Sequence, residues 1–500
     1  MTILREMFRA VTLLTMYMLA ACGGEPAASS HGRGILVIAV DALRADHLSC
    51  YGYDRPTTPV IDALAKQGLV FDKAYTTSPD IMPAHASLLT GCDPTVADRD
   101  MQIDGVPAPL LTRWYIPDSV PRLAQELLAN GFETGAFVDH PWLSPLRGFG
   151  AGFQEFQDFQ VDLTPEKTIY RFNEVATRFL AWISNQSADD DWFAYVHVND
   201  LERVWELTTP DPAWDSFFAP RAELSAIPPV AEAERTFFAV PRARWTGATR
   251  SMGESEARYD GAIRQFDTKL GRLLERLRQI GRLENTTIVI VGTYGLSFGE
   301  SGLLLDSGTL SDCDLRVPLV VRPGKSVELA RERRFDALVS MTDLAPTLLE
   351  MAGLARPNGM HGRSQLPVLR GQTEDVRSLA FACGGYQQGF CVIDARWCYE
   401  YSSPGISHPS DLAASWYGDT RIHRGEYRRA LHDRTTDARS GHLHTGVADL
   451  EIAKRLHAAG EDWYAWMLRA RDVLQGGELR ARADAATLAE LRKRGLIAEM

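Results

Sequence analysis

Ile35-Leu36-Val37-Ile38-Ala39-Val40-Asp41 is the stretch whose reading decides the fold. Its apolar residues show no alternation with polar ones, so the segment reads as a strand buried on both faces. Asp41 then places a carboxylate at its C-terminal end. Similar short runs recur at residues 135–138, Trp192–Val198, 287–291 and 317–321. Helical patterns lie between them, at residues 58–68 and 256–282. In the second of these, Tyr259, Ile263, Phe266, Leu270, Leu273 and Leu277 fall on one face, which is a core stripe. Strands alternating with helices predict an α/β fold with a mostly parallel sheet flanked by helices. Ligand sites in such folds lie beyond the carboxyl ends of strands. Asp41, His197 and Gly292-Thr293-Tyr294 all fall there.

Working outward, the character changes after residue 375. Short β-like pieces occupy residues 378–401, with Gly384-Gly385 as a turn, and residues 429–433 read as a further strand. Residues 448–475 form an amphipathic pattern with Ile452, Leu456, Trp463, Met467 and Ala470 near one stripe. The expectation is a smaller C-terminal antiparallel sheet with a helix packed on it. Residues 476–500 alternate charge signs around Leu479, Leu488 and Leu491 and predict a surface helical tail, whose ion pairs contribute little individually.

At the other end, Arg5 and Arg9 precede an apolar run over residues 10–20, too short for the ~20 residues a membrane span needs. The run ends in Leu19-Ala20-Ala21-Cys22, which resembles a bacterial lipobox. Residues 1–21 are therefore expected to be a signal peptide and Cys22 the lipidated residue. Residues 22–33 are expected to form a flexible tether. This predicts an exported chain, lipid-anchored to a bacterial envelope. The lack of aspartate at position 23 points to the outer membrane, if the host has one. The domain expectation is then an α/β domain over 34–375, a small α+β subdomain over 376–475, and the tail.

Composition is that of a soluble globular protein, 45% hydrophobic and 24% charged. A net charge of −12 with no basic stretch excludes a sequence-independent nucleic-acid binder. Setting Cys22 aside leaves Cys50, Cys92, Cys313, Cys383, Cys391 and Cys398. Six cysteines in an exported protein allow three disulfides in fifteen pairings, among which sequence does not choose. No Cys/His cluster has zinc-ligand spacing.

The segment Val40-Asp41-Ala42-Leu43-Arg44-Ala45-Asp46-His47-Leu48-Ser49-Cys50-Tyr51-Gly52-Tyr53 is similar to the opening block of the sulfatase family, within the alkaline-phosphatase superfamily. The likeness continues through Arg55-Pro56-Thr57-Thr58-Pro59, Tyr75-Thr76-Thr77-Ser78-Pro79 and His85-Ala86-Ser87-Leu88-Leu89-Thr90-Gly91. It returns at Tyr259-Asp260, Gly299-Glu300, Leu303-Leu304-Leu305-Asp306, Leu315-Arg316-Val317-Pro318-Leu319 and Thr342-Asp343-Leu344-Ala345-Pro346. The order of these blocks, over roughly residues 34 to 370, carries the resemblance. It implies a divalent metal, commonly Ca²⁺, held by carboxylates and amides at two strand ends. It also implies a nucleophile in a C/S/T-x-P-x-R-like motif and basic groups around the ester oxygens.

This chain departs from that pattern at most of its chemical positions. The motif reads Ile81-Met82-Pro83-Ala84-His85, and the Ile81 side chain has no lone pair. Asp41 remains as a single metal carboxylate, followed by Ala42. The second ligand pair is replaced by Thr293-Tyr294 before Gly295. Gly299-Glu300-Ser301-Gly302 lacks the family histidine, and Ser307 follows Asp306 where a basic residue is expected. His197 survives, but Asp200-Leu201-Glu202 stands where Asp-Pro-His is usual.

No residue is therefore assigned as catalytic, and no cofactor is expected unless activity is retained with Ca²⁺ or another divalent metal. Asp41 with Glu300 and Asp312 could hold a cation, or Asp41 is a strand-end carboxylate bonded to loop amides. His85 and His197 are either anion ligands or satisfied groups in a filled cleft. Thr76, Thr77, Ser78, Ser87 and Thr90 read as turn and helix-cap hydroxyls, and Cys92 as structural. The expectation is a non-catalytic protein retained for binding a sulfated or phosphorylated ligand or for assembly with an envelope protein. The alternative is an ester hydrolase or transferase with a rearranged metal site. A third possibility is an interaction partner acting through its C-terminal module.

Overall fold

The computed structural model describes residues 32–94, 100–102, 115–158, 172–202, 214, 216–221, 252–298, 304–327, 334–384, 389–402, 428–435, 447–474 and 480–482. In chain order the first strands are β1 (Gly34–Val40), β2 (Leu69–Tyr75), β3 (Asp100–Gln102), β4 (Glu133–Val138), β5 (Glu155–Asp158), β6 (Trp192–Val198) and β7 (Thr286–Gly292). Then come β8 (Ser297–Phe298), β9 (Leu304–Asp306), β10 (Leu319–Arg322), β11 (Arg334–Ser340), β12 (Ala380–Cys383), β13 (Gly389–Ile393), β14 (Trp397–Ser402), β15 (Arg428–Asp433) and β16 (Arg480–Arg482). Eight of these form one sheet in the order β11-β2-β10-β7-β1-β6-β4-β5. Only β10 runs against its neighbours there. β8 and β9 make a separate hairpin.

β1 is central, and all seven of its residues are buried, as are those of β6 and β7. A strand covered on both faces gains from apolar side chains on both, which is why Ile35–Val40 is continuous rather than alternating. Helices supply the cover. α1 (Pro59–Gln67) and, further along, Phe172–Asn185 and Met252–Gln279 pack together, while Ile81–Thr90, Leu123–Ala129 and Leu344–Met351 form a second group. Asp267 fixes the start of α1 from a distance: its carboxylate accepts the Val60 and Ile61 N–H groups, both at 2.9 Å. That satisfies two donors that a helix start leaves open.

The small sheet runs β12-β13-β14-β15, antiparallel throughout. Its faces divide cleanly. Phe390, Val392, Trp397, Tyr399 and Leu431 pack with Leu456, Trp463 and Met467 of the helix Val447–Leu474. Ala380, Ala382, Cys391, Ile393 and Cys398 pack on Tyr75, Leu310, Leu315 and Leu338 of the large domain. The α/β architecture with a smaller antiparallel sheet and helix is thus as the sequence predicts.

Some expectations change. β10 starts at Leu319 rather than 317, because Pro318 has no N–H to give the ladder and the Val317 N–H is donated to the Ala74 carbonyl. The expected tether ends early: Gly32 donates to the Ala188 carbonyl, and the Arg33 guanidinium holds Asp191. The helical tail is corrected at its beginning. Arg480–Arg482 is a strand paired in parallel with β3, and a backbone ladder to a partner so distant in sequence leaves no local period to read. The rest of that tail, the signal segment, Cys22 and residues 385–388 of the Gly384-Gly385 turn lie outside the described residues. Among the described residues no helix is long and apolar enough to cross a membrane.

Candidate functional site

Strand register determines which side chains meet. Ala39 lies opposite His197 on β6 and Val291 on β7. Side chains alternate faces along a strand, so Asp41 and Thr293, each two residues further on, emerge on the face that carries His197. Tyr195 shares it. Over this point lies the helix Ile81–Thr90, buried along its whole length, and it contributes His85.

Asp41 is completely buried, and three side chains donate to its carboxylate. Oδ1 accepts from His85 Nε2 at 2.8 Å and from Thr293 Oγ1 at 2.5 Å, and Oδ2 accepts from His197 Nε2 at 2.8 Å. The far sides of the two rings fix their protons. The Asp139 N–H donates to His197 Nδ1 at 3.2 Å, so that nitrogen keeps its lone pair and Nε2 carries hydrogen. His85 Nδ1 meets the Tyr195 hydroxyl. The Asp41 carboxylate can only accept, which puts the His85 hydrogen on Nε2 and leaves Nδ1 to accept from the Tyr195 hydroxyl, a phenol that burial keeps protonated. Burial also lowers the pKa of His85, against the pull of Asp41. Burial works against the Asp41 charge too, but His197 and His85 outweigh it and hold this carboxyl well below the usual range.

The other positions singled out in the sequence fall as follows. Ile81 opens its helix and is buried, and Tyr294 is buried in the same apolar cluster. Thr293 donates its hydroxyl to Asp41. Thr76 donates to the Ser78 carbonyl and Thr90 to the Ala86 carbonyl, as turn and helix hydroxyls do. Cys92 is a buried thiol that donates to the Gly359 carbonyl, with its pKa pushed up to about 12 by burial. Asp312 is not brought to Asp41: it accepts from the Tyr75 hydroxyl at 2.9 Å and stands 3.6 Å from Arg434. Asp200 forms a buried ion pair with Lys269 at 2.8 Å. Arg44 forms an ion pair with Asp46, and His47 Nδ1 is hydrogen-bonded to the Asp260 carboxylate at 2.8 Å, so these three family-block residues are partnered within the fold. Glu300 and Ser301 lie outside the described residues.

Ala42 follows Asp41 with φ of 54°, the one non-glycine at positive φ among the described residues. Its carbonyl accepts the Tyr259 hydroxyl at 2.6 Å, which helps hold a conformation costing on the order of 1–2 kcal/mol. Gly295 allows another close approach, since a Cβ there would lie 1.9 Å from the Cys313 carbonyl oxygen.

The family model described as Sulfatase matches residues 33–354, more than half the chain. The chain belongs to the sulfatase family. It is 26% identical over 413 residues to human arylsulfatase A, covering 76% of each protein. It is also 26% identical over 343 residues to an extracellular sulfatase SULF-1 homologue of Drosophila melanogaster, covering 62% of this chain but only 29% of that one. A solved structure of BT4656 in complex with D-glucosamine-2-N,6-O-disulfate superposes with a TM-score of 0.66 at 16% identity, over 88% of this chain and 98% of that one. This last likeness is one of fold.

Calcium, the metal the sulfatase resemblance implies, needs six to eight oxygen ligands. Here Asp41, His85 and His197 bring their ligand atoms within 4.8 Å of one another, but the set is one carboxylate and two imidazoles. That does not fit calcium. A softer cation would need a lone pair on His197 Nε2, where metal-bound histidines direct their other nitrogen to an acceptor. His197 Nδ1 faces a donor instead. In this sulfatase-family chain the Asp41 carboxylate thus takes its donors from two imidazoles and a hydroxyl. The sequence reading missed that His85, His197 and Thr293 converge on Asp41. The shared strand face was its one available signal.

Proposed function

We propose that this chain is a non-catalytic member of the sulfatase family, lipid-anchored through Cys22 to a bacterial envelope and retained to bind a sulfated or phosphorylated ligand or to assemble with an envelope protein. The observation carrying the reading is the Asp41 carboxylate, occupied by donors from His85, His197 and Thr293. Two further features support it. Ile81 offers no electron pair where the family has its nucleophile, and Tyr294 is buried next to Thr293 where it has a ligand. Metal, nucleophile and basic groups act as one unit, so coupled sites that lose a member fall by up to on the order of 10⁶-fold. The lipobox-like Leu19-Ala20-Ala21-Cys22 supports the anchor.

The test is metal analysis of the purified full chain, with turnover measured on aryl sulfate and aryl phosphate esters. The expected result is no stoichiometric divalent metal and no turnover above buffer. Metal at one equivalent, with turnover abolished by Asp41→Ala, would overturn the reading. The anchor has its own check: labelled fatty acid should enter the wild type and be lost in Cys22→Ala.

A further inference from the structure

β13 and β14 carry two cysteines on the same face. In their antiparallel register Cys391 lies opposite Glu400 and Cys398 opposite Ile393, so the two are diagonal neighbours. Both pack on the large domain, in the cluster formed with Tyr75, Leu310, Leu315 and Leu338. Cys383, by contrast, belongs to the opposite, helix-facing cluster. The Cys391 and Cys398 sulfurs lie 3.1 Å apart, and both are free thiols. Of the fifteen pairings that six cysteines allow, the fold therefore favours those containing this one.

We propose that Cys391 and Cys398 are a disulfide-forming site, closing a bridge between the two central strands of the small sheet when the chain matures in oxidising surroundings. The oxidant is another disulfide, either that of a dithiol–disulfide oxidoreductase or oxidised glutathione. One cysteine thiolate attacks a sulfur of that disulfide, forming a mixed disulfide and releasing one oxidant thiolate. The second cysteine thiolate attacks its partner's sulfur in the mixed disulfide, forming the Cys391–Cys398 bond and releasing the other oxidant thiolate. The cysteines lose two protons and two electrons, and the oxidant takes them up to become two thiols, on one oxidoreductase or on two glutathione molecules.

Timing follows from burial. Both side chains are at most 1% exposed in the docked sheet. Burial raises the Cys391 pKa well above the thiol range, and that of Cys398 is also raised despite its contact with Cys391. Exchange needs a thiolate and access to it. The bridge therefore closes before the sheet docks on Tyr75 and Leu338, and the docked sheet then protects it.

The test uses the full chain exported to an oxidising compartment, quenched in acid, denatured, treated with N-ethylmaleimide and digested. Cys391 and Cys398 should be recovered joined and unlabelled, and both should take label only after reduction. Refolding the reduced chain in oxidised glutathione should close the same bridge, whether or not the lipid anchor is real. Maleimide on both residues of the oxidised chain, or a bridge from either to another cysteine, would overturn the proposal. In Cys391→Ser the remaining Cys398 should be fully labelled without reductant. Protection of Cys398 in that variant would also overturn it.

Discussion

A buried carboxylate must find donors or a cation, or give up its charge, because desolvation otherwise costs several kcal/mol. Asp41 keeps its charge through three side-chain donors that arrive from a helix and two strands. Its removal should therefore be felt in stability rather than in catalysis. Asp41→Ala leaves the donors of His85, His197 and Thr293 buried without an acceptor and should cost roughly 3–5 kcal/mol, read as a fall in the urea midpoint. Asp41→Asn keeps one acceptor oxygen and should recover part of that loss. A metal enzyme would behave differently, with chemistry lost and the apo fold little changed. Asp267 offers a pH test at the same scale. Burial raises its pKa from 3.8 to about 6, despite the two N–H groups it accepts. The folded state then binds more protons than the unfolded one between those values. The stabilisation is full below the unfolded pKa and is lost as pH rises through about 6. Asp267→Asn cannot titrate, and its amide oxygen still accepts. Its stability relative to wild type should climb between pH 4 and 7 by up to roughly 2–3 kcal/mol, measured by denaturation at each pH.

Elements carry a different kind of information. Gly460 sits within the helix Val447–Leu474, where glycine costs about 1 kcal/mol relative to alanine. Propensity alone predicts that Gly460→Ala stabilises. A Cβ at that position would, however, lie 2.0 Å from the buried Phe390 ring, which is itself packed against Tyr401 and His457. The expected outcome is a net loss of about 1–3 kcal/mol by thermal unfolding, partly rescued by Phe390→Leu. The same contrast explains what the sequence shows and what it hides. Continuous apolar runs mark β1, β6 and β7, since burial on both faces is written into each strand's own residues. The stripe from Tyr259 to Leu277 marks its helix for the same reason. Gly460 and Phe390 meet only through packing, and β16 exists only through its pairing with β3. At the site, the departures at Ile81 and Thr293-Tyr294 are legible against the family pattern. That His85 donates to the Asp41 carboxylate is not, because Asp41 lies 44 residues away and the arrangement depends on Tyr195 and Asp139 behind the rings.

At the scale of the whole molecule, two cores are joined by a third. The cluster of Tyr75, Leu310, Leu315 and Leu338 with Ala380, Ala382, Cys391, Ile393 and Cys398 belongs to neither domain alone. Its large-domain half comes from β2, β11 and the segment around the short helix Asp312–Leu315. Arg434 lies over the Tyr75 ring at 4.8 Å and stands beside Asp312, tying the end of the small sheet to that segment. Small residues at 380, 382, 391 and 398 let the sheet come close, so larger side chains such as Leu338 supply most of the apolar contact. Leu338→Ala should therefore weaken the joint, at a cost of about 2–4 kcal/mol. Cooperativity is the sharper readout. If the joint couples the two cores, the wild type melts in one calorimetric transition, with the near-ultraviolet signals of Trp192 and Trp463 falling together. In Leu338→Ala the small sheet, which has the smaller core, should melt first and the transition should broaden or split. A variant that loses the same stability from one core alone, such as Val289→Ala in the buried strand β7, should lower the midpoint without splitting it. Equal behaviour of the two variants would show that the cores are already independent, and that the apolar joint places the small sheet without stabilising it.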